Sequence, residues 1–98
     1  MTPVRVVRAN GTAVDTRSED VSEGGMLVVA QTSLAPGERV RLRFASPLDG
    51  QLHDADADVR WIKPSYGRVA VGLEFVAPSD SLRAALKQFI ELMLPRIN

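Results

Sequence analysis

Alternating charges on two predicted strands are the pattern in this sequence with the clearest potential for chemistry. Residues 39–44 alternate strictly, so three arginines share one strand face over ~13 Å, a spacing typical of a phosphate-binding stripe. Residues 53–61 carry three aspartates in the same alternation. If a turn at Leu48-Asp49 joins the two strands, the facing pairs are Arg43–Asp54, Arg41–Asp56 and Arg39–Asp58. Such pairs contribute ~0.2–1 kcal/mol each and fix the register. We therefore expect a solvated structural ladder, with a binding surface as the alternative. A nucleic-acid-binding face would not carry matching aspartates.

The same aspartates could instead bind a metal. Asp54-x-Asp56-x-Asp58 resembles the opening of a calcium-binding loop, but Val59 and Ser65 stand where that loop needs glycine and glutamate. We expect no metal there.

Candidate catalytic groups are equally scarce. His53 is the single histidine, so a histidine-built zinc site and a Ser-His-Asp triad both lack parts. The sequence also has no nucleophile elbow, Walker loop or dinucleotide-binding fingerprint. We predict a protein that is not an enzyme and needs no cofactor.

Composition limits the class of protein further. The 98 residues predict a single domain over 1–98, and 45% hydrophobic with 24% charged residues is the balance of an ordinary globular fold. Twelve basic and twelve acidic side chains cancel, so no global field attracts nucleic acid or anionic lipid. The sequence has no cysteines and no apolar run of the ~18 residues that a membrane span needs, and we expect no signal peptide. We expect a cytoplasmic protein.

Period-two patterning, divided by turn signals, predicts six short strands. Asn10-Gly11 is the strongest hairpin signal, and glycine or proline marks the other turns. The predicted strands cover residues 4–9, 12–20, 26–30, 38–45, 53–62 and 68–76. This spacing favours a mainly β fold, a small six-stranded antiparallel barrel. Phe44, Trp61 and Phe75 occupy apolar strand positions, so we expect them in the core.

A helical period follows the last strand. The apolar stripe consists of Leu82, Leu86, Phe89, Ile90 and Met93. Ser79 or Asp80 can cap the start of this helix, and Pro95 ends it. Packing of the stripe against the barrel is the simpler interpretation, and a groove-binding or dimer-forming helix is the alternative.

The turn at residues 20–25, followed by Met26-Leu27-Val28, resembles the signature D/N-x-S-x-x-G of the PilZ domain family. Residues 59–64 resemble the family's penultimate strand, and residues 71–76 resemble its last strand. The predicted helix lies where the family has its closing helix. The similarity covers nearly the whole chain, in order and with matching spacing.

This resemblance implies a six-stranded barrel and a role in bacterial cyclic di-GMP signalling. In the family, the Asp and Ser of the motif read a guanine edge, and its glycine lets backbone approach the ligand. These roles would fall on Asp20, Ser22 and Gly25, and the adjacent Gly24 is a further candidate binding residue. The chemistry is sound, because a carboxylate accepts hydrogen bonds from guanine N–H groups and a hydroxyl donates or accepts. The alternative is that Asp20 and Ser22 only hold a turn.

The other half of the family site is an R-x-x-x-R pair that grips phosphates and stacks on bases. The nearest candidates, Arg5 and Arg8, have the spacing R-x-x-R and lie closer to Asp20 than the family pattern allows. Their odd separation on a strand also directs them to opposite faces. We therefore expect weak or absent nucleotide binding and a role as a protein-interaction adaptor. The alternative is a true cyclic di-GMP receptor that uses other arginines, with Arg17 and Arg60 as candidates.

For protein contacts, the predicted loops at 46–52 and 63–68 are candidates, including an exposed Tyr66.

Overall fold

A computed structural model of the protein describes residues 2–31, 34–45 and 50–93. It contains six strands and one helix, in this order along the chain: β1 (Pro3–Arg8), β2 (Ala13–Val21), β3 (Gly25–Ala30), β4 (Arg39–Ala45), β5 (Leu52–Ser65), β6 (Arg68–Val76) and α1 (Asp80–Met93). The strands form a closed antiparallel barrel in the order β1-β2-β3-β6-β5-β4. The predicted mainly β barrel with one C-terminal helix is confirmed. No helix among these residues is long and apolar enough to cross a membrane.

The first hairpin forms at the predicted Asn10-Gly11 turn. Gly11 has a φ of +88°, which a residue with a side chain rarely adopts. The turn is closed by the Arg8 amide, which donates to the Thr12 carbonyl at 2.8 Å. The Thr12 amide in turn donates to Oδ1 of Asn10 at 2.9 Å. This local chemistry sets the register of β1 against β2.

Alternate residues of the strands fill the barrel interior with aliphatic side chains. The most deeply buried residues include Val6, Val28, Leu42 and Val71. Phe44 and Phe75, both predicted core residues, are buried and stack with ring centroids 6.5 Å apart. Burial of this apolar area is the main stabilising contribution to a fold of this size.

Helix α1 packs against this core through its predicted stripe. The Ser79 hydroxyl caps the helix by accepting from the Leu82 amide at 3.1 Å. Leu82 and Leu86 are buried in the core cluster, while Phe89 and Ile90 are half-buried. The first two residues of the stripe, Leu82 and Leu86, therefore pack against the barrel, as the simpler interpretation predicts. The Met93 side chain and the helix-ending Pro95 lie outside the described residues.

The charge ladder between β4 and β5 has the predicted register. Each arginine is opposite its expected aspartate, in the pairs Arg39–Asp58, Arg41–Asp56 and Arg43–Asp54. The side chains meet in all three pairs, with Arg43 Nε 2.9 Å from Asp54 Oδ1 and Arg41 Nη1 3.1 Å from Asp56 Oδ1. The arginine stripe is thus neutralised on the barrel surface. The Leu48–Asp49 turn and the rest of residues 46–49 lie outside the described part of the chain.

Two β-bulges break the strict alternation. In β2 the pairing with β3 shifts between Ser18 and Asp20, and in β5 the pairing with β6 shifts between Val59 and Trp61. A bulge adds one residue to a strand, so the side chains beyond it change faces.

The bulge in β5 overturns the prediction that Trp61 belongs to the core. Val59 points inward and is buried, but Trp61 lies on the outer face with 41% of its surface exposed. The inward position passes instead to Ile62, which packs against the core cluster.

The strand itself is also longer than the predicted 53–62. Because it runs to Ser65, the loop expected over 63–68 is reduced to a turn at Tyr66-Gly67. Both turn residues have positive φ, +48° and +79°. This combination is characteristic of the tight hairpin turns whose twist matches that of the strands.

Candidate functional site

The turn that links β2 to β3 is closed by Ser22. The Ser22 amide donates to the Gly25 carbonyl at 2.9 Å, and the Gly25 amide donates to Ser22 Oγ at 3.1 Å. A short polar side chain that bonds to backbone three residues ahead is a common way to hold such a turn. The structural role considered for Ser22 is therefore present, and a ligand role stays a prediction.

Gly25 lets this turn lie directly on β6. A Cβ atom at this position would be 2.0 Å from the Leu73 carbonyl oxygen, well inside van der Waals contact. The turn is tied to β6 a second time by the Phe75 amide, which donates to the Gly24 carbonyl at 2.8 Å. A Cβ atom at Gly24 itself would meet no atom within 4 Å. Position 25 thus requires glycine because the backbones of the turn and of β6 approach each other closely there.

The Asp20 side chain at the start of the turn is exposed. Its carboxylate forms no hydrogen bond or salt bridge with any described residue. The register places it opposite Leu27, whose side chain also lies on the outer face. Asp20 therefore offers an unpaired hydrogen-bond acceptor on the barrel surface.

Trp61 lies across the same outer face. Leu27 is opposite Gly72, and Gly72 is opposite Trp61. The indole ring lies against Gly72, where a Cβ atom would be 2.3 Å from Trp61 Cε2. The Lys63 ammonium is 5.3 Å from the centroid of the indole ring, close enough for a cation–π contact. The Trp61 ring is thus held in place by β6 and contacted by Lys63, and 41% of the residue's surface stays exposed.

These features surround one open pocket of about 420 Å³. All four residues predicted at the turn line it: Asp20, Ser22, Gly24 and Gly25. Arg60, Trp61 and the β6 residues Gly72, Leu73 and Glu74 line the opposite side. The structure therefore brings the motif residues together with an exposed tryptophan, on a surface of mixed polar and apolar character.

Arg60 is the arginine that lines this pocket, and its guanidinium is already engaged. It donates two hydrogen bonds to the Glu74 carboxylate, at 2.8 and 3.1 Å. These bonds, with the attraction of the guanidinium, lower the pKa of Glu74 below its ordinary value. Arg60 would have to leave Glu74 before it could bind a ligand.

The two arginines nearest the family pattern lie elsewhere. Arg5 pairs with Asp15 at 2.9 Å, and Arg8 pairs with Glu38 at 2.7 Å. In each pair the hydrogen bond from arginine lowers the pKa of the carboxyl group. Neither arginine lines the pocket at Asp20. The structure does not bring them together as one clamp.

The described residues contain no group of three or more His, Asp or Glu side chains that could hold a metal ion. The aspartates considered for calcium are the three ladder residues, each bonded to its own arginine.

Sequence reasoning missed Trp61, Gly72 and Lys63 as parts of this surface. A bulge cannot be located from alternation alone, and strict alternation sends Trp61 inward. Gly72 could have indicated this surface from the sequence, since a glycine inside a strand often marks close approach by another group, here the Trp61 ring.

Comparison with known proteins identifies the family. A model of the PilZ domain matches residues 1–92, so the chain belongs to the PilZ domain family. No curated protein matches the chain in sequence.

Solved structures share the fold. The Bacillus subtilis inhibitor of motility MotI/DgrA matches with a TM-score of 0.80 and 25% identity, over 94% of this chain and 46% of that one. Escherichia coli YcgR in complex with c-di-GMP matches at 0.76 with 20% identity, over 93% and 41%. The PilZ domain of YcgR with c-di-GMP matches at 0.73 with 18% identity, over 93% and 80%. The present chain thus spans less than half the length of the first two proteins.

Proposed function

We propose that this PilZ domain is a non-catalytic adaptor in cyclic di-GMP signalling. It recognises guanine weakly through the pocket at Asp20 and acts through contact with a protein partner. The observation that carries the proposal is the pocket itself, which joins an unpaired carboxylate to an exposed indole. Membership of a family with c-di-GMP-bound structures supports the choice of ligand.

The chemistry of the pocket matches a guanine base. Guanine presents two adjacent N–H donors on one edge, and a carboxylate is an acceptor for both. Its π-face stacks on an aromatic side chain, with a contribution of ~1–3 kcal/mol per base. Asp20 would accept from the base edge, and Trp61 would take the face of the base. The Ser22 hydroxyl, already bonded to the turn, would contribute through its remaining hydrogen-bonding capacity.

Weak affinity follows from the state of the arginines. Arg5, Arg8 and Arg60 are each bonded to a carboxylate, so none is available at the turn. A charge-assisted hydrogen bond contributes roughly 1.5–3 kcal/mol, so two missing contacts cost about 3–6 kcal/mol. This corresponds to an affinity lower by about 10²- to 10⁴-fold. A partner that brings arginines to the pocket would restore that affinity, which makes nucleotide binding and partner binding interdependent.

Tyr66 supports a protein-contact role. It is fully exposed at the tip of the β5–β6 turn and has a left-handed φ of +48°. Tyrosine is enriched among the residues that contribute most to protein interfaces. A rigid two-residue turn presents this side chain in a defined direction and reduces the entropy lost on binding.

A self-sufficient receptor is the second candidate. The observation that favours it is Arg60, which lines the pocket and would bind a phosphate after leaving Glu74. With Arg17, which forms no salt bridge with any described residue, it would take the place of the arginine pair.

Calorimetric titration of cyclic di-GMP into the chain distinguishes the two candidates. The adaptor predicts a Kd of about 100 μM or weaker, with binding lost in Asp20→Ala. This variant is the cleanest test, because the Asp20 side chain holds no other group, whereas Ser22→Ala also loosens the turn. Glu91→Ala, which removes an exposed carboxylate near the end of α1, is the control.

A low-micromolar Kd that depends on Asp20 would overturn the adaptor and establish the receptor. Binding that is unchanged in Asp20→Ala would show that guanine is not read at this turn.

A further inference from the structure

The cations of the barrel fall into two groups. Six arginines on the described strands form salt bridges, namely Arg5, Arg8, Arg39, Arg41, Arg43 and Arg60. The strand cations without a salt bridge to any described residue are Arg17, Lys63 and Arg68. All three are exposed, and all three lie on the face formed by β2, β3, β6 and β5. This face is the one that carries the pocket at Asp20.

Their positions follow from the strand register. Arg17 is opposite Val29, Val29 is opposite Ala70, and Ala70 is opposite Lys63. Arg68 is two residues from Ala70 along β6. With strands ~4.8 Å apart and ~3.4 Å per residue, each cation's Cα lies roughly 7 Å from the midpoint between Val29 and Ala70. Long basic side chains can span that distance, so the three cations surround a small apolar floor. We call this group the cation triangle.

The cation triangle is continuous with the pocket. The row of Val29 and Ala70 is two residues, ~7 Å, from the row of Leu27 and Gly72. Leu27 lines both the pocket at Asp20 and a second depression that contains Val29, Ala70 and Arg68. Arg17 and Arg68 also line one depression together, with Gln31. A ligand of nucleotide size can therefore cover both rows.

We propose that the cation triangle of Arg17, Lys63 and Arg68 binds the phosphates of a guanine nucleotide whose base occupies the pocket at Asp20. The inference rests on the proposed function for the choice of ligand. It assigns the phosphate contacts to the outer barrel strands, and these contacts supply the residual affinity of a domain whose Arg5 and Arg8 are engaged elsewhere.

Lys63 has a specific part in this arrangement. Its ammonium lies 5.3 Å from the centroid of the Trp61 ring. A base that stacks on this ring displaces the ammonium and releases it toward the floor at Ala70. Base stacking and phosphate binding are thereby coupled.

Acidic groups on this face oppose the binding of an anion to different degrees. Asp15 lines the depression with Arg17, but its charge is neutralised by Arg5. Glu19, the extra residue of the β2 bulge, lines the depressions beside Arg17 and Arg68 and forms no salt bridge with a described residue. Removal of the Glu19 charge is therefore expected to strengthen phosphate binding, whereas removal of a cation is expected to weaken it.

The test is an NMR titration of the chain with cyclic di-GMP, and separately with guanosine, which has the base but no phosphate. Arg17→Ala, Lys63→Ala and Arg68→Ala are each expected to weaken cyclic di-GMP binding roughly tenfold. Arg41→Ala, which removes an exposed arginine from β4, outside the pocket at Asp20 and the cation triangle, is the control and should bind as the wild type does. Glu19→Gln should bind more tightly. The affinity for guanosine should not change in Arg17→Ala or Arg68→Ala.

The outcomes separate this inference from the proposed function. Binding that depends on Asp20 but not on the cation triangle overturns the inference alone. Binding that depends on the triangle but not on Asp20 supports a phosphate site and overturns the guanine pocket. No binding at millimolar nucleotide also overturns the inference, because three available cations would then be insufficient, and it leaves the adaptor with protein contact only.

Discussion

Asp20 and Trp61 lie at opposite ends of one row of residues across four strands, each immediately after a β-bulge. The row passes from Asp20 through Leu27 and Gly72 to Trp61. Three strand spacings separate the two ends by ~14 Å. Without the bulges, the alternation of β2 and β5 would turn both side chains toward the core. The paired bulges are therefore what creates a polar and aromatic surface on the outside of the barrel.

Trp61 makes ligand binding directly observable, because it is the single tryptophan of the chain. A base that stacks on the indole changes its environment, so we expect the fluorescence intensity to change on titration with cyclic di-GMP. The midpoint should agree with the calorimetric Kd, and Asp20→Ala should remove the change. Fluorescence that stays constant while heat is released would show that the base does not contact Trp61.

The fold was predictable because several local signals agree. The Asn10-Gly11 turn fixes the first hairpin, and period-two patterning defines the strands. The register of β4 against β5 could be predicted to the residue, since a shift by one in either direction would place two of the three arginines opposite alanines and leave none opposite an aspartate. Complementary charges thus specify a register that hydrophobic alternation alone leaves less certain.

The site was predictable only in part. Asp20, Ser22 and Gly25 could be chosen because the spacing of a turn motif is local in sequence. The contribution of Trp61 could not, because it depends on one extra residue at Arg60 and on how β5 pairs with β6. Which arginines remain without a salt bridge is likewise a property of the assembled surface, as Arg8 and Glu38 are thirty residues apart.

The two glycines of the turn are expected to respond differently to the same substitution. Gly25→Ala would place a methyl group 2.0 Å from the Leu73 carbonyl oxygen, so either β3 or β6 must move. We expect a loss of about 2–4 kcal/mol in the free energy of unfolding. Gly24→Ala meets no atom within 4 Å and should change stability by less than about 0.5 kcal/mol. Urea denaturation of both variants measures this difference, and equal stabilities would contradict the close approach of the turn to β6.

His53 is a position where a substitution is expected to stabilise the fold. It is buried beside Phe44, with ring centroids 6.2 Å apart, and its Nε2 has no hydrogen-bond partner among the described residues. A buried polar atom without a partner costs ~1–3 kcal/mol. His53→Phe removes that cost and keeps an aromatic ring beside Phe44, so we expect the free energy of unfolding to rise by about 1 kcal/mol. His53→Ala is the comparison, since it removes the same atom but leaves a cavity and should destabilise the fold. A lower thermal midpoint for His53→Phe would indicate that Nε2 is satisfied in solution.

The Arg8–Glu38 pair should make stability depend on pH in the acid range. The side chains are only 25% and 15% exposed, and Glu38 accepts from Arg8 and from the Ala35 amide. The hydrogen bond from Arg8 is the main cause that lowers the pKa of Glu38 in the folded state. A group with a lowered pKa binds protons more readily in the unfolded state. Its stabilising contribution is thus complete above the unfolded value of ~4.3 and is lost as the pH falls through the folded value.

Glu38→Gln isolates this contribution. At pH 7 we expect the variant to be less stable by about 1–2 kcal/mol, because a neutral amide replaces a charge-assisted partner of Arg8. The difference from the wild type should shrink as the pH falls below ~4, where the wild-type carboxyl group is protonated as well. Glu91→Gln, at an exposed helix position, is the control and should follow the wild type at every pH. Urea denaturation from pH 3 to pH 7 measures the three curves. Parallel curves for Glu38→Gln and the wild type would show that Glu38 titrates alike in the folded and unfolded chain, and the pair would then hold Arg8 in place without linking stability to pH.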